Sequence, residues 1–190
     1  MTNESATIGN QTRVAVLLGS VRADSINRRI AEHLRDHAPA GVTVHLVEGL
    51  ETVPFYNEEI DGEAVPASAV ALREAVAAAD RVLAVTPEYN GTMPAVLNNA
   101  IDWLSRPYGR GAIVGKPFAA VGATPTPYGG KWSHEHARHS ARIAGAVVVE
   151  DIVVDVAALE GDVLADPAAV ERLLGALTDL CAHQPAVAVA

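Results

Sequence analysis

Short apolar runs alternate along the chain with longer stretches in which apolar residues recur every third or fourth position. The first run, Arg13 to Leu18 (RVAVLL), stops at Gly19-Ser20 and reads as a buried strand entering a turn. Ile26, Ile30 and Leu34 then recur at helical spacing, with Arg28, Arg29, Glu32 and Arg35 on the other faces. Gly41 closes that connection, and Val42 to Val47 is a second strand. Glu48 to Pro66 holds Pro54, Asn57 and Gly62 and predicts a surface loop. A helix from about Ala67 to Ala79 leads to a third strand, Arg81 to Thr86, which stops at Pro87-Glu88-Tyr89-Asn90-Gly91.

After Pro94, which suits the first turn of a helix, Val96, Leu97, Ala100, Ile101 and Leu104 form an apolar stripe. A Gly-rich loop (Pro107 to Gly115), a fourth strand (Pro117 to Gly122) and a second loop ending at Gly130 come next. The rest predicts a helix to about Ala144, a fifth strand from Val147 to Val154, and a last helix carrying Val170, Leu173, Leu174, Leu177 and Leu180. Strands alternating with helices in this way predict an α/β fold, a doubly wound parallel sheet in one domain. Such sheets take ligands at the carboxyl ends of their strands.

Composition narrows the picture. Hydrophobic residues make up 49% of the chain and aromatics 4%, so the core must be built from Ala, Val, Leu and Ile. The net charge of −9 repels nucleic acid and anionic membranes. No run approaches the ~20 apolar residues of a membrane span, and the polar start is unlike a signal peptide. Cys181, the single cysteine, is expected as core filler on the last helix. A cytoplasmic protein with a small-molecule partner is expected, with no nucleic acid and no membrane.

Candidate chemistry sits where strands end. Gly19 to Asn27 fits neither the G-x-G-x-x-G fingerprint nor a Walker loop, but it brings Ser20, Arg22, Ser25 and Asn27 to a helix N-terminus. Orphan N–H groups, the helix dipole, hydroxyls and a guanidinium there suit a phosphate monoester. The plainer alternative has Asp24 or Ser25 merely capping the helix, and Asp24 is expected to point outward. Pro87 to Pro94 is a stiff loop whose N–H groups and Tyr89 suit a flat heterocycle, though the same residues also make an ordinary βα turn. Gly129-Gly130, after Thr124-Pro125-Thr126-Pro127-Tyr128, allow close approach of a ligand or a tight turn. Together the loops after strands one, three and four suit the phosphate and ring ends of FMN.

His134, His136 and His139 lack an i, i+4 pair among them and are expected on a solvated helix face, not at a metal. No G-x-S-x-G nucleophile elbow is present. Trp103 suits either the core or a subunit contact, and the contact is favoured because Ile101 and Leu104 already supply the stripe beside it.

Three segments carry a resemblance: G-S-x-R-x-x-S-x-N at Gly19 to Asn27, P-E-Y-N-G at Pro87 to Gly91, and L-N-N-A-I-D-W-L at Leu97 to Leu104. In this order the chain resembles the NADPH-dependent FMN reductase family, which includes bacterial quinone, azo-dye and chromate reductases. The resemblance implies a flavodoxin-like three-layer sandwich with strand order 2-1-3-4-5, FMN as cofactor, NADPH or NADH as electron donor, and a homodimer or dimer of dimers. Residues 13–183 are expected to form a single flavodoxin-like FMN-binding domain, between a flexible segment at 1–12 and a tail at 184–190. The resemblance places Ser20, Arg22, Ser25 and Asn27 at the FMN phosphate, and Pro87, Glu88, Tyr89, Asn90 and Gly91 along the isoalloxazine; Ile26 is expected as a further cofactor contact. Thr124, Gly129 and Gly130 are expected to add contacts, although the loop between them departs from the family's Ser-x-Gly pattern. Two electrons would pass through the flavin to a quinone, azo compound, metal oxyanion or free flavin, with no catalytic side chain required. The rival readings are an electron carrier that does not oxidise NAD(P)H itself and a non-flavin binding module or hydrolase. Arg106 and Arg110, after the third helix, suit either the 2′-phosphate of NADPH or ordinary solvation.

Overall fold

Strands that are apolar at every position need cover on both faces, and helices supply it here. The computed structural model describes residues 11–159 and 161–184, so most of the expected N-terminal segment and tail lies outside the described residues. In chain order the elements are β1 (Thr12–Leu18), α1 (Ile26–Asp36), β2 (Val42–Val47), α2 (Ala67–Ala77), β3 (Arg81–Val85), α3 (Ala95–Leu104), β4 (Pro117–Thr124), α4 (Lys131–Ile143), β5 (Val147–Val148), β6 (Val154–Ala157) and α5 (Pro167–Ala182). The sheet is parallel, in the order β2-β1-β3-β4-β5, with β6 also paired to β4. This is the flavodoxin-like order.

Alternation along each strand divides the core. Val14, Val16 and Leu18 of β1 pack with α1 and α5, whereas Ala15 and Leu17 pack with α2, α3 and α4. Leu83 and Val85 of β3 face the first layer, Val82 and Ala84 the second. Cys181 is half-buried against the α1/α5 layer, as its place on the apolar side of α5 predicts.

Two expectations need correction. The fifth strand is split: β5 pairs with Pro117 and Phe118, β6 pairs with Val121 to Thr124, and residues 149–153 leave the ladder between them. Glu150 and Asp151, which a strand covered on both faces would have buried, are exposed in that break. The strand edge therefore ends at Ala157, three residues beyond the expected Val154.

Trp103 is 0% exposed and is a core residue of this chain. Its Nε1–H donates to the Pro54 carbonyl at 2.8 Å, and Tyr56 meets its ring edge-on at 5.1 Å. The loop over residues 48–66 supplies the cover that a partner subunit was expected to give. Asn99 holds that loop by accepting from the Tyr56 N–H and donating to the Pro54 carbonyl. Arg73 grips Asp61 with two hydrogen bonds of 2.7 and 2.8 Å and donates to the Trp103 carbonyl.

Candidate functional site

The ends of β1, β3 and β4 are drawn together around Thr86. A Cβ on Gly19 would lie 2.2 Å from Thr86 Oγ1, and one on Gly122 would lie 2.2 Å from the Thr86 carbonyl oxygen. Only glycine permits such close backbone approach on both sides. The turns that follow open onto one cleft of ≈ 570 Å³. The first turn contributes Ser20, Arg22, Ser25, Ile26 and Asn27; the second contributes Pro87, Glu88 and Tyr89; β4 contributes Thr124. The conjunction of turns read from the sequence is therefore present in space.

The first turn is rich in free donors. The backbone N–H groups of residues 20–24 meet no acceptor among the described residues. The Ser20 residue is 3% exposed, yet its hydroxyl has no described partner and borders the cleft. Arg22 is exposed and pairs with no described carboxylate. Ser25 caps α1, its hydroxyl accepting from the Asn27 N–H at 3.2 Å. Asp24 is exposed but departs from the outward place expected of it: it borders the cleft and sets a carboxylate on the rim beside these donors. A run of unpartnered N–H groups at a helix N-terminus, with a guanidinium and a hydroxyl beside it, has the donor chemistry that suits an anion.

Two site candidates have their side chains engaged inside the protein. Asn27 makes reciprocal 2.9 Å bonds with the Ala123 carbonyl and N–H, tying α1 to β4. The Glu88 carboxylate accepts from the N–H groups of Trp132 (3.0 Å) and Ser133 (3.3 Å). It thereby caps α4, whose N-cap residue, Gly130, has no side chain to do so.

Four other candidates lie off the cleft's lining. Asn90 (φ 53°) and Gly91 (φ 71°) are the tip of a tight two-residue turn closed by reciprocal bonds between Tyr89 and Thr92. Gly129 sits against Asp155 and Val156, and Gly130 (φ 93°) against His134. Their glycine character serves the start of α4. The N–H groups of Glu88, Asn90 and Gly91 meet no described acceptor, so the loop keeps free donors.

A further wall of the cleft, Ala158, Gly161, Asp162 and Val163, was missed in the sequence. It follows β6, and the misplaced end of the fifth strand hid it. Asp162 pairs with Arg29, and that guanidinium together with the Leu164 N–H holds its carboxyl below the usual range.

His134 departs from the solvated face expected of it. It is 0% exposed, with Nδ1 2.5 Å from Asp155 Oδ1 and Nε2 3.3 Å from the Thr86 carbonyl. His136 and His139 are exposed, as expected of that face. Among the described residues no group of three or more His, Cys, Asp or Glu is placed to hold a metal. Arg106 lies over the Tyr56 ring at 5.5 Å, past the far end of α3. That helix is ten residues, roughly 15 Å, long, so neither Arg106 nor Arg110 borders the cleft.

A 2-1-3-4-5 sheet with a donor-rich turn after its first strand and a donor-bearing loop after its third defines a flavodoxin-like protein, one built for a nucleotide-sized ligand. The chain belongs to the NADPH-dependent FMN reductase family, whose model matches residues 12–159, and it is an oxidoreductase that uses FMN and NAD(P)H. It is 43% identical over 127 residues to a quinone reductase of Pseudomonas putida, covering 67% of this chain and 68% of that one. A quinone reductase of Escherichia coli is 35% identical over 143 residues, 75% of this chain and 76% of that protein. Among solved structures, the flavoenzyme NAD(P)H:(acceptor) oxidoreductase FerB from Paracoccus denitrificans superimposes with a TM-score of 0.79 at 30% identity, covering 90% of this chain and 96% of that one. A flavodoxin from Pseudomonas aeruginosa (TM-score 0.55, 20% identity, 88% of this chain and 99% of that one) shares the fold.

Proposed function

We propose that this protein is a cytoplasmic, FMN-dependent NAD(P)H:quinone oxidoreductase. The observation that carries the reading is the run of unpartnered N–H groups at residues 20–24, with Arg22 and Ser20 beside it. Those groups fit a phosphate monoester, and the cradle is held open by the protein's own bonds. Ser25 and Asn27 are occupied with α1 and β4, so they shape the cradle while Arg22 and the backbone receive the anion.

FMN, when bound, supplies the acceptance of a hydride from NAD(P)H and the delivery of two electrons to the acceptor. The chain's part is binding and orientation. Pro87, Glu88 and Tyr89 border the ring side, where the Glu88, Asn90 and Gly91 N–H groups are donors for the heterocycle. Thr124 lines the cleft from the end of β4, its hydroxyl paired with that of Thr126. No side-chain nucleophile or base is required, and acceptors reach the ring through the open mouth.

Purified protein incubated with FMN should lose the flavin's visible absorption on addition of NADH or NADPH and regain it with a quinone. Flavin that binds without being reduced would replace the reductase reading with an electron carrier, and failure to bind would remove both. Arg22→Ala should weaken FMN binding by about 1–3 kcal/mol, the range of a charge-assisted bond to phosphate. An unchanged affinity, by equilibrium dialysis, takes Arg22 out of the site.

Self-association belongs to the same proposal. A groove of ≈ 560 Å³ between α3 and α4 carries Tyr108 (88% exposed) and Ile143 (73% exposed), which a second copy would cover. Sedimentation equilibrium should give a mass of twice or four times 19.8 kDa.

A further inference from the structure

The His-x-His pair on α4 is absorbed neither by the cleft nor by a metal, and both of its members touch the loop after β3. His134 places Nε2 3.3 Å from the Thr86 carbonyl, at the loop's start, and is itself anchored through Nδ1 to Asp155 on β6. His136 holds the loop's other end, its Nδ1 2.8 Å from Thr92 Oγ1. Between the two grips, Ser133 Oγ donates to the Pro87 carbonyl at 2.8 Å, and Glu88 receives the N–H groups of Trp132 and Ser133. The loop's own hydrogen bonds are few: Thr86 Oγ1 to the Pro87 carbonyl, and the Tyr89–Thr92 pair at the tip.

We propose that His134 and His136 are positioning residues that clamp the Thr86–Thr92 loop at both ends, so that α4, braced on β6 by Asp155, sets the conformation in which the loop meets the flavin. Neither side chain borders the cleft. His134 has the larger share, because it is fully buried and joins three elements: α4, β6 and the exit of β3. Its ring also fills the space beside Gly122 and Gly130, where added Cβ atoms would stand 3.1 Å from it. Asn27 Oδ1 lies at the same Gly122, so the tie from the phosphate-side helix and the tie from the ring-side loop meet behind one residue. A displaced Thr86 carbonyl redirects the backbone leaving β3, and with it the free N–H groups of Glu88, Asn90 and Gly91. The spacing of two residues that argues against a shared metal site suits two grips on opposite ends of a loop.

The effect on cofactor rests on the FMN reading; the clamp itself does not. Amide hydrogen exchange of the ligand-free chain tests the clamp directly. His134→Phe keeps the ring's bulk and removes both polar contacts. It should speed exchange of the loop's two bonded amides, Tyr89 and Thr92, by about tenfold while leaving β1 unchanged, and should raise the Kd for FMN by about tenfold. His136→Ala should act in the same direction, by about threefold in each, since its bond is exposed. His134→Gln, which can still donate to Asp155, should recover part of both losses. Native exchange in the loop of a folded His134→Phe variant overturns the proposal. Should that variant fail to fold, Asp155→Ala, which removes the carboxylate that braces the ring, gives the same readout: faster exchange of the Tyr89 and Thr92 amides supports the clamp and native exchange overturns it. If the wild-type chain binds no FMN, the functional reading falls while the exchange result still decides the clamp.

Discussion

Thr86 lies between two glycines in space, Gly19 on one neighbouring strand and Gly122 on the other. Gly19 is legible in the sequence because a turn visibly starts there. Gly122 is not, because it looks like the end of a strand, and only the packed sheet shows what stands against it. A methyl group at 122 would press on the Thr86 backbone oxygen, which cannot swing away as a long side chain could. Gly122→Ala should therefore destabilise by about 1–3 kcal/mol or more, and denaturant unfolding measures it. Among charged candidates, Arg22 was placed beside the ligand cleft by its position in the turn after the first strand, and it borders that cleft. For Glu88 and Asn27 the residue type was readable but the partner was not: one caps a helix 44 residues away and the other bonds a strand 96 residues away. Side-chain bonds of that span leave no trace in local pattern.

At the scale of elements, periodicity located all five helices and the first four strands to within a few residues. It failed where cover came from irregular chain. The fifth strand reads as one apolar run, but Glu150-Asp151 breaks it into β5 and β6. Trp103 falls beside its helix's apolar stripe, but the 48–66 loop turns that side into core. The loop's brace, Asp61 with Arg73, has a pH signature. Hydrogen bonds from the Arg73 guanidinium hold the Asp61 carboxyl below its usual range. Because the folded value is depressed, the stabilisation is complete above the ordinary range near pH ~4 and is lost as pH falls through the lower, folded value. Asp61→Asn should lower stability at neutral pH by about 1–3 kcal/mol, since the pair is largely buried. The gap to wild type, followed by urea unfolding across acidic pH, should close as the solution is acidified. A gap that stays constant would mean that charge has no part in the brace.

For the whole molecule, alternation and burial gave the doubly wound class, and the conjunction of three loops gave the location of the cleft. Strand order came from the family resemblance, because nothing local in the run around Arg81 shows that β3 pairs with β1 as well as with β4. The far wall at 158–163 was missed for a related reason: its position depends on where the edge strand ends after a break. Among the described residues no helix is long and apolar enough to cross a membrane. Both layers of aliphatic side chains end at the same carboxyl edge, where the ligand-facing turns begin. The site is thus the rim of the core, and changes in the core near β3 and β4 reach it without a relay.

The chain has two tryptophans, and their surroundings give them separate voices in fluorescence. Trp103 is sealed between α3 and the 48–66 loop, so its emission follows the melting of that layer and is shielded from dissolved quenchers. Trp132 is part-exposed beside Tyr128, and its amide is bonded to Glu88 on the cleft's edge. Light from that indole is open to iodide or acrylamide and close to the cleft's mouth. Replacing either one with phenylalanine turns a single spectrum into a dedicated probe, of the hidden layer or of the cleft.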